Sequence, residues 1–227
     1  DPIKAVQLLN RFDKTVLAQD PALAHWYVTG MIEGSLDAKL SEYLKFVEQT
    51  ALSTGKPAAL GAALNAVSST HRHNADAAKL VLAITGRAFE RWPDLPELLT
   101  ANAMANFRLA ENGGWELAAT KNAVLALERL RAKFPDNPQI AAAIAWAKLK
   151  GEKNPNRAML DAAVLADAYK KDLPLTPLQL KVLGSTYLEA GRISQAVQVL
   201  EKAKDRTSGP GTAGIYIALA TDRKSVV

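Results

Sequence analysis

The chain has 227 residues, of which 48% are hydrophobic and 22% charged, a composition that is typical of a folded protein and excludes a disordered one. The absence of cysteine excludes disulfides, thiolate metal sites and cysteine nucleophiles. No apolar run approaches the roughly 18–20 residues of a membrane-spanning helix, so we expect a soluble protein of the cytoplasm or the cell envelope. The chain begins at Asp1 without a methionine, and we interpret its start as trimmed.

The periodicity of the hydrophobic residues predicts an all-helical chain without strands. Alanine and leucine, both good helix formers, dominate the apolar positions, and β-branched residues are scattered among them. In chain order, the predicted helices cover 3–18, 21–33, 37–53, 57–71, 75–91, 95–111, 115–134, 138–150, 155–171, 177–190, 193–206 and 212–222.

Six of the eleven prolines recur at intervals of 36 to 42 residues: Pro21, Pro57, Pro93, Pro135, Pro174 and Pro210. Because proline cannot continue a helix, each one marks a break, and each interval has room for two helices. We therefore predict one continuous domain over 1–227, with five repeats between a helix at each end. The segments are 1–20, 21–56, 57–92, 93–134, 135–173, 174–209 and 210–227.

The repeat over 174–209 has the clearest pattern. Its first helix places the small residue Gly184 among large apolar residues on one face, and its second helix repeats alanine and leucine at helical spacing. Gly191 lies in the turn between them, where a left-handed residue suits the end of a helix. The residues of the pattern are Leu180, Leu183, Gly184, Tyr187, Gly191, Ala196, Leu200 and Ala203.

This order of large and small residues resembles the signature of the tetratricopeptide repeat family. The resemblance is clear over about 177–206 and fair over 93–173, and over 1–92 it consists of the proline period alone. It implies a right-handed α-solenoid of about five helix pairs, whose first helices line a concave groove. It also implies a non-catalytic scaffold that binds a peptide, a helix or another subunit in that groove. We expect the chain to be one part of a larger protein.

Polar and aromatic residues outside the packing face of the first helices are the candidate binding residues of this groove. Asn102 and Asn106 are four residues apart and share a helix face, where paired amides can bond a peptide backbone. For Trp146, packing between helices is the competing interpretation. The candidates are Asn102, Asn106, Gln139, Trp146, Lys181 and Ser185.

The sequence contains no motif of a known catalytic or cofactor site. His71 and His73 are the densest pair of metal-ligand residues, but residues two apart point to different sides of a helix and no third ligand completes a site with them. We therefore predict no metal, no cofactor and no enzymatic activity. A helical enzyme with a site in the groove is the second alternative function.

Positive charge is concentrated in residues 121–171, where ten Lys and Arg outnumber five Asp and Glu. The first alternative function is therefore binding of nucleic acid or an anionic polymer through a basic face of Lys148, Lys150, Lys153 and Arg157. Aromatic residues make up only 6% of the chain and do not alternate with these cations, as a base-stacking surface requires. We thus expect a protein or peptide partner and not nucleic acid; the sequence indicates neither its identity nor an oligomeric state.

Overall fold

The structure is a computed structural model that describes residues 2–71 and 73–206. These residues form helices joined by short turns, and no strand occurs among them. The predicted all-helical fold is confirmed. The helices are α1 (Pro2–Leu9), α2 (Lys14–Gln19), α3 (Pro21–Glu33), α4 (Asp37–Thr54), α5 (Ala58–Thr70), α6 (Ala75–Phe89), α7 (Pro96–Asn112), α8 (Leu117–Arg131), α9 (Pro138–Lys150), α10 (Pro155–Lys170), α11 (Pro177–Glu189) and α12 (Ile193–Asp205). The predicted helix over 212–222 lies outside the described residues.

Prolines and side-chain caps determine where these helices begin. α3, α7, α9, α10 and α11 have proline in their first turn, where its missing N–H costs no helical hydrogen bond. Asn137 and Asn154 accept hydrogen bonds from the free N–H groups at the starts of α9 and α10. Every proline of the predicted ladder that lies in the described residues falls at a helix end or in a turn.

The single helix predicted over 3–18 is wrong, since this segment forms two short helices, α1 and α2. The carboxylate of Asp13 accepts a 2.7 Å hydrogen bond from the N–H of Thr15 and caps the start of α2. The amide of Asn10 accepts a hydrogen bond from the hydroxyl of Tyr27. The bond of Asp13 starts a new helix, because Asp side chains compete with the backbone for nearby N–H groups. The bond of Asn10 links the end of α1 to α3.

The chain divides into two compact units, Asp1–Gly114 (unit 1) and Trp115–Val227 (unit 2). In unit 1, α5 packs between α3 and α7, and α6 packs against α7. Its apolar core includes the fully buried side chains of Leu44, Leu60, Leu64 and Ile84. That the two units form one continuous solenoid stays a prediction.

In unit 2, α9 pairs with α10, α11 pairs with α12, and α9 lies alongside α11. The seam between α11 and α12 closes at Gly184, where a Cβ atom would lie 2.5 Å from Cγ of Leu200. Gly191 has a left-handed φ of +71° and ends α11. The predicted close approach of the two helices and the predicted turn are both confirmed. Because α9 and α11 also contact each other directly, these two helices lie side by side.

Candidate functional site

Trp146 on α9 lies under two lysine ammonium groups. Nζ of Lys150 is 4.8 Å from the centroid of the Trp146 ring, and Nζ of Lys181 is 5.8 Å from it. Lys150 follows Trp146 by one helical turn, and Lys181 reaches the ring from the neighbouring helix α11. The ring is half-buried against the apolar core of unit 2. The structure thus brings two predicted groove residues, Trp146 and Lys181, into one cluster with Lys150.

The exposed stripes of α9 and α11 extend this cluster into a surface, here called the α9–α11 face. The α11 stripe adds an apolar side chain, Leu178, which is 66% exposed, and the half-buried Ser185. On α9, Gln139 is exposed two turns before Trp146. The face comprises Gln139, Ala143, Trp146, Lys150, Leu178, Lys181, Ser185 and Glu189.

A depression of about 290 Å³ lies where α9 and α11 end, and it adjoins the α9–α11 face. Leu149 and Pro155 contribute apolar surface to it, and Lys150, Lys153 and Glu189 line it with charge. The loop after α9 is held by the carbonyl of residue 148, which accepts hydrogen bonds from the N–H groups of residues 152 and 154. This depression therefore offers apolar contact with two cations and one carboxylate at its edge.

Lys148 does not belong to an exposed basic face, and that part of the prediction is wrong. Its side chain is only 9% exposed, and its ammonium donates to Asp161 at 2.7 Å and to Glu128 at 3.2 Å. Arg131 pairs with the same two carboxylates. Two cations and two anions thus form a neutral network between α8, α9 and α10. We call it the buried quartet after its two buried members, Lys148 and Asp161; the other two are about one-third exposed. Burying one of these charges without a partner would carry a desolvation penalty of several kcal/mol. Removing one partner of a buried ion pair typically lowers the stability of a protein by about 3–5 kcal/mol.

The other members of the predicted basic face differ from Lys148. Arg157 is exposed but is paired with Glu152 at 2.9 Å. Lys150 and Lys153 are exposed, and Lys153 has a left-handed backbone with φ of +51° in the loop between α9 and α10. The four cations therefore do not form one continuous surface of free positive charge.

The two predicted asparagines lie in unit 1 and bond within it. Nδ2 of Asn102 donates to the buried hydroxyl of Thr85 on α6 at 2.9 Å. Nδ2 of Asn106 donates to the carbonyl and the side-chain oxygen of Asn102, at 3.0 and 3.2 Å. Both side chains are half-buried. Their amides form hydrogen bonds within the packing of α6 and α7. They lie in unit 1, whereas Trp146 lies in unit 2.

Sequence reasoning assigned Lys150 only to the basic face and did not include Leu178 or Glu189 in the groove. The spacing of four residues between Trp146 and Lys150 could have placed Lys150 beside Trp146, since residues four apart share a helix face. The buried quartet left no comparable signal, because its members lie on three helices and meet only through packing.

Within 2–71 and 73–206, no cluster of three or more His, Cys, Asp and Glu could hold a metal ion. No helix in the same residues is long and apolar enough to cross a membrane. The pKa of Tyr43 is raised well above its ordinary value by burial, and its hydroxyl donates to the carbonyl of Leu17 at 2.8 Å, a structural role in the core of unit 1.

Comparison with known proteins supports the fold. No family model matches the sequence, and no curated protein matches it. Among solved structures, a human IFIT1 dimer with PPP-AAAA is similar, with a TM-score of 0.57 and 17% sequence identity. The similarity covers 92% of this chain but only 48% of the IFIT1 chain, so this chain spans about half of that neighbour. The fold and this neighbour define a helical-repeat protein.

Proposed function

We propose that this chain is a non-catalytic protein-interaction module that binds an extended peptide across the α9–α11 face. The observation that carries the proposal is Trp146, which lies half-buried at the surface beneath Lys150 and Lys181 on two neighbouring first helices. Large aromatic side chains contribute most to protein interfaces when they lie at the centre of a patch with polar groups around them. Trp146 has that position on this face.

We further propose that the helix pairs are tetratricopeptide-like repeats, most clearly α11 and α12. The support is the contact of Gly184 with Leu200 and the left-handed Gly191 after α11, both at positions of the family signature. The side-by-side placement of α9 and α11 agrees with first helices that line a common surface. The similarity to the helical-repeat fold of IFIT1 agrees with this interpretation of the fold.

The chemistry of the face suits a peptide better than a nucleic acid. Trp146 and Leu178 supply apolar surface on adjacent helices, while Lys150 and Lys181 supply two cations. Nucleic-acid binding draws its affinity from many phosphate contacts. Of the predicted basic face, Lys148 is neutralised in the buried quartet, and so the number of cations available for such contacts is reduced.

Site-specific photo-crosslinking tests this proposal. A benzoylphenylalanine at Ser185 is expected to capture a protein partner from native lysate, and one at Gln198, which is exposed on α12, is not. Trp146→Ala is expected to reduce capture at Ser185 about tenfold or more, because central aromatic residues dominate interface energies. Trp26→Ala is the matched control, since Trp26 is 64% exposed in unit 1 and lies outside the face.

Two outcomes would contradict the proposal. Equal capture at positions 185 and 198, or capture that Trp146→Ala leaves unchanged, would remove the α9–α11 face as the binding surface. Recovery of nucleic acid that washes off as salt is raised would instead favour binding through the exposed cations Lys150 and Lys153.

A further inference from the structure

The ring of Trp146 is covered by cations of its own chain. Both ammonium groups lie within 6 Å of the ring centroid, the range of a cation–π contact. Lys150 is exposed and Lys181 is half-buried, so both ammonium groups belong to the surface rather than to the core. In this arrangement the two lysines occupy the aromatic surface that an apolar ligand group would need.

We infer that Lys150 and Lys181 shield Trp146 in the free protein, and that a ligand carboxylate draws them off the ring. The ring then opens to an apolar side chain of the same ligand. The ligand class is therefore a peptide segment in which an acidic residue adjoins an apolar one. This inference rests on the proposed function, because it concerns how the same face selects its peptide.

The strengths of the competing contacts make such a displacement feasible. A cation–π contact at an exposed site is weak, and a hydrogen bond between two charged groups is of similar or greater strength. An ammonium group can therefore exchange the ring for a carboxylate at little cost. A neutral peptide offers no such exchange, and it must compete with both ammonium groups for the ring.

The charges of the face and its rigidity point to the same ligand. The face carries Lys150 and Lys181 and one carboxylate, Glu189, and the adjoining depression adds Lys153, so an acidic segment complements the surface. Helix α9 is held in place by the buried quartet through Lys148, whose ammonium is fixed between two carboxylates. The long side chains of Lys150 and Lys181 can thus move while the helix that carries Trp146 stays in position.

Unit 2 contains a matched control for the shielding. Nζ of Lys202 lies 4.9 Å from the centroid of the Tyr169 ring and also donates to Asp172 at 2.7 Å. This lysine already has a carboxylate of its own chain. An external acidic group therefore offers it no new partner, and Lys202→Gln is expected to leave peptide binding unchanged.

The experiment uses the full chain labelled with 5-fluorotryptophan and observed by fluorine NMR, with Trp146→Phe assigning the resonance of the site. Three capped nonapeptides of matched length are the probes: one with aspartate and leucine, one with aspartate and serine, and one with asparagine and leucine. We expect the aspartate–leucine peptide alone to shift the Trp146 resonance strongly, with an affinity about tenfold above that of the other two.

The double variant Lys150→Gln/Lys181→Gln gives the decisive readout, because the two effects of the lysines have opposite signs. Affinity for the aspartate–leucine peptide is expected to fall about tenfold, and affinity for the asparagine–leucine peptide is expected to rise severalfold as the ring is uncovered. In the free variant, the Trp146 resonance is expected to move. Circular dichroism verifies that the variant is folded.

The outcomes separate this inference from the proposed function. If the peptides bind at Trp146 but the double variant does not gain affinity for the neutral peptide, shielding is overturned and the proposed function stands. If none of the three peptides perturbs Trp146, both are overturned for this face. A stronger perturbation by a single-stranded oligonucleotide than by any of the three peptides would overturn the choice of a peptide ligand.

Discussion

The two units differ in what the predicted polar binding residues on their helices contact. In unit 1, Asn102 and Asn106 bond to each other and to Thr85, and their amides belong to the packing of α6 and α7. In unit 2, Lys181 lies over the half-buried Trp146 ring at the surface. Residues with the same predicted role therefore differ in what they contact. The two amides of unit 1 are thus used within the packing of α6 and α7, whereas Lys181 contacts an aromatic ring at the surface.

The units also differ in how they bury charge. In unit 1, the buried carboxylate of Glu48 accepts two 2.8 Å hydrogen bonds from the partly exposed guanidinium of Arg87. In unit 2, Lys148 and Asp161 are both more than nine-tenths buried, and each has a second partner in the quartet. The stability of unit 2 should accordingly depend more strongly on the removal of a single charge.

The largest expected effect follows from this difference in buried charge. Asp161→Ala leaves Lys148 with one partner in a buried site, and we expect it to lower the free energy of unfolding by about 3–5 kcal/mol. Adding Lys148→Met should recover most of that loss, because it removes the buried ammonium that has lost its shorter ion pair. Urea denaturation followed by circular dichroism measures both effects.

The matched control lies on the same helix. Asp167 on α10 pairs with Lys171, but both side chains are exposed, so Asp167→Ala is expected to leave the urea midpoint unchanged. An equal loss for Asp161→Ala and Asp167→Ala would show that the quartet is energetically no different from a surface ion pair.

The second prediction compares one helical glycine from each unit. Gly184→Val places side-chain atoms against Leu200 at the closed seam, and we expect destabilisation by about 1–3 kcal/mol. Gly86→Ala on α6 meets no atom within 4 Å and replaces an exposed helical glycine, so it should stabilise unit 1 by about 0.5–1 kcal/mol. Denaturation midpoints test the pair, and a change of the same sign at both positions would refute the close approach at Gly184.

The third prediction concerns the polar residues of the two units. Asn102→Ala removes the hydrogen bond to the buried hydroxyl of Thr85 and is expected to cost about 1 kcal/mol of stability. It should not change peptide affinity, whereas Lys181→Ala should lower affinity with little loss of stability. Calorimetric titration with the aspartate–leucine peptide, together with denaturation, distinguishes the two. A loss of peptide affinity in Asn102→Ala would contradict this prediction and would support a role of the unit 1 asparagines in binding.

The smallest expected effect is a pH dependence within unit 2. The pKa of Asp172 is lowered because Lys202 donates a hydrogen bond to it and attracts it electrostatically, with a further contribution from Arg206. Because the folded-state pKa lies below the unfolded value, the stabilisation is complete above the unfolded value and is lost as pH falls through the folded one. Carbon-13 NMR of the carboxyl group measures this, and Lys202→Gln should move the pKa of Asp172 back towards 3.8. An unchanged titration in that variant would contradict the assigned cause.

Much of the fold could be predicted because its signals are local in the chain. Pro138, Pro155 and Pro177 mark helix starts, and the predicted ranges 138–150 and 155–171 agree with α9 and α10 to within one residue. The exception is 3–18, whose apolar spacing suggests one helix. There Asp13 caps the start of α2 locally, while Asn10 accepts a hydrogen bond from Tyr27 on α3, 17 residues away. The candidate site could be predicted only in part. Trp146 and Lys181 were found from repeat register, while Lys150 was assigned a different role.

The sequence by itself determined most of the helices and the seam at Gly184, since helical periodicity, capping and steric size act over a few residues or one repeat. Tertiary structure alone decided which polar side chains are free to meet a ligand. Asn102 is bonded by Thr85, 17 residues away, and Lys148 by Asp161 and Glu128, 13 and 20 residues away on other helices. Lys150, only two residues from Lys148, lies on the opposite side of α9 and remains at the surface over Trp146. Such partners depend on how helices pack, which the spacing of residues along one helix does not determine.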